Sequence, residues 1–139
     1  MIKKIVLVGG CFDLFHYGHL QFLKAAKKQG NYLIVALESD QFIKLKKKRL
    51  PVHTQNQRAA MLTELRTVNQ VIKLPFLTNN KDYLTLVKKI KPAVIAVTAG
   101  DPQLKNKQKQ AQTVGAKVKV VTPLIKNFSS TSIIAKLDN

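Results

Sequence analysis

Val6-Leu7-Val8-Gly9-Gly10-Cys11-Phe12-Asp13-Leu14-Phe15-His16-Tyr17-Gly18-His19-Leu20 is the stretch that decides the fold. The apolar run at 5–8 reads as a buried strand. Gly9 and Gly10 allow a sharp turn and a close approach of backbone to a ligand. Helical spacing follows at Leu20, Leu23, Ala26 and Lys27. A strand, a glycine turn and a helix N-terminus make an anion site, because unpaired N–H groups and the helix dipole face the turn together. His16 and His19, three apart, share one face of that first helical turn.

Working outward, strands and helices alternate. Strands are predicted at 5–8, 32–37, 71–74, 93–97 and 117–121. Helices are predicted at 19–28, 55–66, 81–90, 102–114 and 130–137, with a basic connector at 40–53. Leu33-Ile34-Val35-Ala36-Leu37 is apolar throughout, as a parallel strand covered on both faces requires. In the helix at 55–66, Ala59, Leu62, Leu65 and Arg66 fall on the inner side. The expected architecture is α/β: a Rossmann-like, doubly wound parallel sheet of about five strands with right-handed crossovers. There is no internal repeat and no linker rich in Gly, Ser or Pro, so residues 1–139 read as one domain.

Composition narrows the partners. The 24 basic residues against 7 acidic ones give a net charge of +17, which favours a polyanion. A nucleic-acid-binding domain would interleave aromatics with its basic patch, but aromatics are only 6% of the chain, so nucleic acid is not the expected partner. No apolar run is long enough for a membrane span, and no signal-peptide core precedes the first strand. The single Cys11 excludes an intrachain disulfide and fits a reducing cytoplasm.

Ligands of open parallel sheets sit beyond the carboxyl ends of the strands. Four loops fall there, at 9–19, 38–48, 98–101 and 122–131. They carry His16 and His19, then Lys44, Lys46, Lys47, Lys48 and Arg49, then Gly100 and Asp101, then Ser129, Ser130, Thr131 and Ser132. Imidazoles, clustered lysines, a glycine turn and hydroxyls at a helix start all bind phosphate. Their convergence suits a nucleoside triphosphate. Each has a plainer reading: the lysines as a solvated loop, the serines as a helix cap, Cys11 as a small buried filler rather than a nucleophile, His53 as a surface residue. A zinc site on Cys11, His16 and His19 lacks a fourth ligand.

Gly10-Cys11-Phe12-Asp13-Leu14-Phe15-His16-Tyr17-Gly18-His19 resembles the G-T-F-D-x-x-H-x-G-H signature of the cytidylyltransferase-like nucleotidyltransferases. Phe128-Ser129-Ser130-Thr131-Ser132-Ile133-Ile134 is similar to that family's second signature, and Ser39-Asp40, the lysine run and Gln57-Arg58-Ala59 resemble its middle segment. The resemblance implies a Rossmann-like fold and transfer of a nucleotide to a phosphorylated alcohol or sugar, with release of pyrophosphate. It also implies roles. His16, His19 and Lys46 would be catalytic, the histidines donating to the α and β phosphates. Lys46 with Lys44 or Lys48 would neutralise phosphate oxygens, and Arg58 would hold the triphosphate. Gly10, Cys11 and Phe12 would lie along the phosphates, and Asp13 would order the loop or the surroundings of the incoming phosphate. Gly100 and Asp101 would line the nucleotide, and Ser129, Ser130 and Thr131 would bind β or γ oxygens. Mg²⁺ would ride on the triphosphate with no protein ligand, and a homodimer would follow family habit.

Departures from the pattern bear on substrate. Leu124-Ile125-Lys126-Asn127 replaces the R-T-E-G of glycerol-3-phosphate cytidylyltransferases, and the chain has no tryptophan. Val97-Thr98-Ala99-Gly100-Asp101 and Leu50-Pro51-Val52 are nearer the heptose-phosphate adenylyltransferases. Likeness to short, single-domain cytidylyltransferases favours CTP with a glycerol-3-phosphate-like acceptor. The alternatives are ATP with a sugar phosphate or FMN, and a degenerate member that binds nucleotide without turnover.

Overall fold

The structure, a computed structural model, describes residues 2–122. The elements run β1 (Ile5–Gly10), α1 (Tyr17–Lys27), β2 (Tyr32–Leu37), α2 (Asp40–Lys46), α3 (Gln55–Thr63), β3 (Gln70–Lys73), α4 (Asn80–Ile90), β4 (Val94–Thr98), α5 (Leu104–Val114) and β5 (Lys117–Thr122). All strand pairs are parallel, in the order β3-β2-β1-β4-β5. The chain winds outward from β1 to β3, then crosses back to β4 on the other flank of β1. That reversal opens a crevice at the carboxyl ends of β1 and β4.

Alternation along the strands builds two cores. Val6, Val8, Leu33, Val35 and Leu37 face one way and pack with Leu23 and Ala26 of α1 and with Ala59 and Leu62 of α3. Leu7, Ile34, Ala36, Ile95 and Val97 face the other way, against Val87 of α4 and Ala111 of α5. Burial on both faces is why the central strands are apolar at every position. Leu23, Leu33 and Leu62 are essentially inaccessible, so truncating any one to alanine costs about 2–5 kcal/mol. Gly30 is dictated by a close approach: a Cβ there would collide with the Lys4 carbonyl where β1 and β2 begin.

The elements differ from the sequence expectation chiefly at their ends. Helix α1 starts two residues early because His16 caps it. The connector holds a short helix, α2, started by the Ser39 hydroxyl accepting from the Phe42 N–H at 3.1 Å. Helix α3 stops at Thr63, which turns Arg66 out to solvent. The expected helix at 130–137 lies outside the described residues. No helix among the described residues is long and apolar enough to cross a membrane.

Candidate active site

Leaving β1, the chain makes a tight loop in which Phe12 and Leu14 take left-handed backbone angles, φ 47 and φ 53. Such angles strain side-chain-bearing residues and persist only where surroundings enforce them. Asp13 supplies the enforcement. Buried in the loop, its carboxylate accepts from Arg49 Nη1 at 2.7 Å and from the backbone N–H groups of Val52 and His53 at 2.8 and 2.9 Å. Burial would raise its pKa, but the Arg49 hydrogen bond, the two backbone donors and the Arg49 charge hold it below the ordinary carboxylate value. Its oxygens are taken by protein donors that tie the loop to the segment at 49–53.

Three residues on, the histidines cap one another. The His16 N–H donates to His19 Nδ1, and the His19 N–H donates to His16 Nδ1, both at 3.3 Å. This is a capping box built from two imidazoles. The rings stack with centroids 3.7 Å apart, and Phe12 and Phe15 flank His19 at 5.1 and 5.4 Å. Burial, then the neighbouring His16, lowers the His19 pKa to about 3, and burial also lowers that of His16. Both rings are therefore neutral at pH 7. With each Nδ1 accepting, each proton sits on Nε2.

Both histidines line a cleft of about 780 Å³ that runs across the carboxyl ends of β1, β2 and β4 and under α4 and α5. That volume is ample for a nucleotide with a second small substrate. Gly10, Cys11, Phe12, Asp13, Lys46 and Asp101 of the expected site also border it. Burial pushes the Cys11 thiol up to about 11, so it stays a thiol at neutral pH, in keeping with a filler.

Other expected residues lie away from the cleft wall or are paired within the protein. Arg58 is completely buried and borders no part of the cleft. Its Nε donates to the His53 carbonyl, its Nη1 to the Cys11 and Glu38 carbonyls, and its Nη2 to Asp40 at 2.7 Å. It clamps the β1 loop, the end of β2 and the lysine-bearing segment together, with its donors spent on protein acceptors. Lys44 and Lys48 do not border the cleft, because α2 and its C-terminal turn present Lys46 and Lys47 to it instead. Gly100 is a turn residue at φ 77 and is likewise off the cleft wall. Asp101 pairs with Lys107 at 2.6 Å and accepts from the Gln103 N–H at 2.7 Å. Ser129, Ser130 and Thr131 lie outside the described residues.

The structure adds Glu38, Tyr83 and Lys107, which the sequence reading left aside, and brings Lys47 of the lysine run to the cleft. Glu38 follows the last residue of β2 and accepts from the Tyr83 hydroxyl of α4 at 2.8 and 3.1 Å. Lys47 and Lys107 border the same space. The available signal was Glu38 itself, a charge directly after an all-apolar strand at the ligand edge. Among the described residues no group of three or more His, Cys, Asp or Glu is placed to hold a metal ion.

A doubly wound sheet with neutral imidazole donors and lysines over its switch point has the architecture of nucleotide-binding α/β proteins. The chain belongs to the cytidylyltransferase-like family, which matches it over residues 7–136, and is a nucleotidyltransferase. It is 37% identical over 117 residues to the FAD synthase of Pyrococcus abyssi, covering 84% of this chain and 77% of that one. It is 39% identical over 139 residues to the bifunctional protein HldE of Helicobacter hepaticus, covering 97% of this chain but only 27% of that longer one. Among solved structures, the lipopolysaccharide core biosynthesis protein of Thermoplasma volcanium superposes with a TM-score of 0.70 at 27% identity, over 89% of this chain and 98% of that one. The pantoate-β-alanine ligase of Francisella tularensis shares the fold alone, with a TM-score of 0.61 at 18% identity.

Proposed function

We propose that this nucleotidyltransferase is an adenylyltransferase, moving AMP from ATP to a phosphorylated small molecule and releasing pyrophosphate. The observation that carries the choice of nucleotide is the match to an FAD synthase over 84% of the chain, together with HldE over 97%. FAD is FMN joined to AMP, so the named product of the first relative contains an adenylyl group. These relatives support ATP over the CTP that the short cytidylyltransferases suggested.

An acceptor phosphate oxygen forms a bond to the α-phosphorus of ATP. The bond from that phosphorus to the bridging oxygen breaks, and its electron pair leaves with pyrophosphate. The phosphate nucleophile is already ionised, so no general base is needed. Catalysis then rests on positioning and on stabilising charge on the phosphoryl oxygens. His16 and His19 supply neutral donors for this, and Lys46 and Lys47 supply positive charge at the same cleft. Mg²⁺ belongs to the substrate as Mg–ATP and neutralises phosphate charge. The carboxylates at the cleft have protein partners of their own: Asp13 pairs with Arg49, Asp101 with Lys107, and Glu38 accepts from the Tyr83 hydroxyl.

The test is pyrophosphate release from ATP and from CTP, each with Mg²⁺, in the presence of phosphorylated acceptors. ATP is expected to give the higher kcat/KM. A preference for CTP would return the protein to cytidylyl transfer, and binding without turnover of either would make it a degenerate member.

A further inference from the structure

We propose that the amino edge of the sheet, at the opposite end of the strands from the cleft, is a docking surface for an anionic lipid membrane. The inference goes beyond adenylyl transfer and does not rest on it. It begins with the way a parallel sheet sorts its chain. All strands start on one edge, and the helices between them end there. The strand starts are tied in a row. The Asn69 N–H donates to the Leu33 carbonyl, Asn31 to Lys4, Ala93 to Ile5 and Lys117 to Ala93, at 2.9 to 3.0 Å.

Exposed cations fill that row. Lys3 and Lys4 precede β1, and Lys117 opens β5. Lys24 and Lys28 lie at the end of α1, and Lys88, Lys89 and Lys91 at the end of α4. Lys24, Lys88 and Lys89 complement the negative ends of their helices. Lys3, Lys4 and Lys117 stand at strand starts, where that explanation does not apply. None of the ion pairs among the described residues involves these lysines. Acids sort the other way. Asp13, Glu38, Asp40, Asp82 and Asp101 follow strands or begin helices, at the carboxyl edge. Among the described residues only Glu64, closing α3, stands at the amino edge.

The chemistry of the edge favours lipid headgroups over nucleic acid. Lysine is a compact, strongly hydrated point charge suited to diffuse attraction. The guanidinium fork that reads nucleic-acid phosphates is represented here by Arg66 alone among the described residues. Tyr32, the aromatic at the start of β2, is no stacking platform for bases. Lys3 Nζ already covers its ring at 4.3 Å, and its hydroxyl donates to Gln70 at 3.2 Å. Beside Lys3 and Lys4, Ile2 is 91% exposed. An apolar side chain among lysines suits the boundary between headgroups and acyl chains.

Distance makes the effect local. A six-residue strand such as β1 is roughly 20 Å long, about twice the screening length at 0.1 M salt. Lysines of the amino edge therefore feel a surface that those at the cleft do not. Each lysine held against an anionic leaflet strengthens binding roughly fivefold. Docked by this edge, the chain keeps its cleft turned away from the bilayer and open to soluble substrates.

The experiment is co-sedimentation of the full chain with vesicles of phosphatidylcholine, alone or with about 30% phosphatidylglycerol, at about 0.1 M salt. Binding is expected to the anionic vesicles only. A triple variant of the amino edge, Lys4→Gln with Lys28→Gln and Lys88→Gln, should weaken it about 100-fold. Lys44→Gln with Lys73→Gln and Lys81→Gln removes the same charge from the carboxyl edge and should stay within about 3-fold. Circular dichroism checks that both variants fold. Should the first not fold, Lys3→Gln with Lys89→Gln and Lys117→Gln carries the same comparison. No binding to the anionic vesicles, equal binding to neutral ones, or equal losses in the two triple variants would overturn the proposal. Tighter binding of single-stranded RNA than of anionic vesicles at equal phosphate, lost in the amino-edge variant, would overturn it in favour of a nucleic-acid surface.

Discussion

The imidazoles of His16 and His19 lie stacked at a centroid separation of 3.7 Å, and each Nδ1 accepts the backbone N–H of the other. One contact thus starts α1 and fixes both tautomers, while burial keeps both rings neutral beside the cleft. Capping and catalysis are separable by substitution. His16→Ser keeps an oxygen that can cap the helix but removes the imidazole donor. It should leave urea stability within about 1 kcal/mol of wild type and lower kcat/KM by at least about 100-fold. His19→Ala should lose activity similarly. Wild-type turnover in either variant would reduce the pair to a helix cap.

The depressed histidine pKa values make stability depend on pH in a defined direction. Unfolded His19 titrates near 6.5 and folded His19 near 3, so between these values the unfolded chain binds the extra proton. The contribution is complete above pH 6.5 and is lost as pH falls toward 3. Between pH 7.5 and 5.5 the loss attributable to His19 is on the order of 1 kcal/mol. Glu38, raised by burial, acts in the opposite sense, so the clean reading is a difference. Urea unfolding at both pH values should show wild type losing more than His19→Gln. Equal losses would contradict a neutral, half-buried His19.

Lys46 and Lys47 border the cleft, whereas Lys44, on the same helix as Lys46, does not. Lys46→Ala and Lys47→Ala should each raise the KM for Mg–ATP or for the acceptor about 10-fold, as loss of a charge-assisted contact to phosphate implies. Lys44→Ala should change neither constant by more than about 2-fold. The reverse order would place the wrong face of α2 toward the substrate.

Arg58 should behave as a structural residue. Arg58→Met would leave the carbonyls of Cys11, Glu38 and His53 and the carboxylate of Asp40 without the donor they share. The expected cost is about 3–5 kcal/mol in chemical denaturation. Asp13→Ala, which strips a partner from Arg49 and two backbone N–H groups, should cost about 2–4 kcal/mol by the same reasoning. An Arg58→Met protein of wild-type stability but weak ATP affinity would restore the triphosphate role that its burial argues against.

The sequence carried the fold because its strongest signals are tertiary in origin. Leu33 to Leu37 can be apolar throughout only if both faces are covered, and that alone implies helices above and below a parallel sheet. The His16–His19 pair was legible too, since spacing on a helix start places both on one turn. What escaped depends on distances no local pattern encodes. Arg58 reads as a polar residue of an amphipathic helix, and only the assembled loops reveal the carbonyls around it. Glu38 and Tyr83 are 45 positions apart, joined by a crossover that ends with α4 above β2. Which lysine of the run faces the cleft depends on where Ser39 starts α2, a register that a string of similar lysines conceals.

The central claim, adenylyl transfer in this cleft, is tested most directly by following isotope. ATP labelled with ³²P at the α position, incubated with Mg²⁺, enzyme and a hydroxylated sugar or polyol phosphate, should pass its label to the acceptor product. ATP labelled at the γ position should release its label entirely as pyrophosphate. Label from the γ position on the acceptor would contradict the account by revealing a kinase, and α label moving only from CTP would contradict the choice of nucleotide.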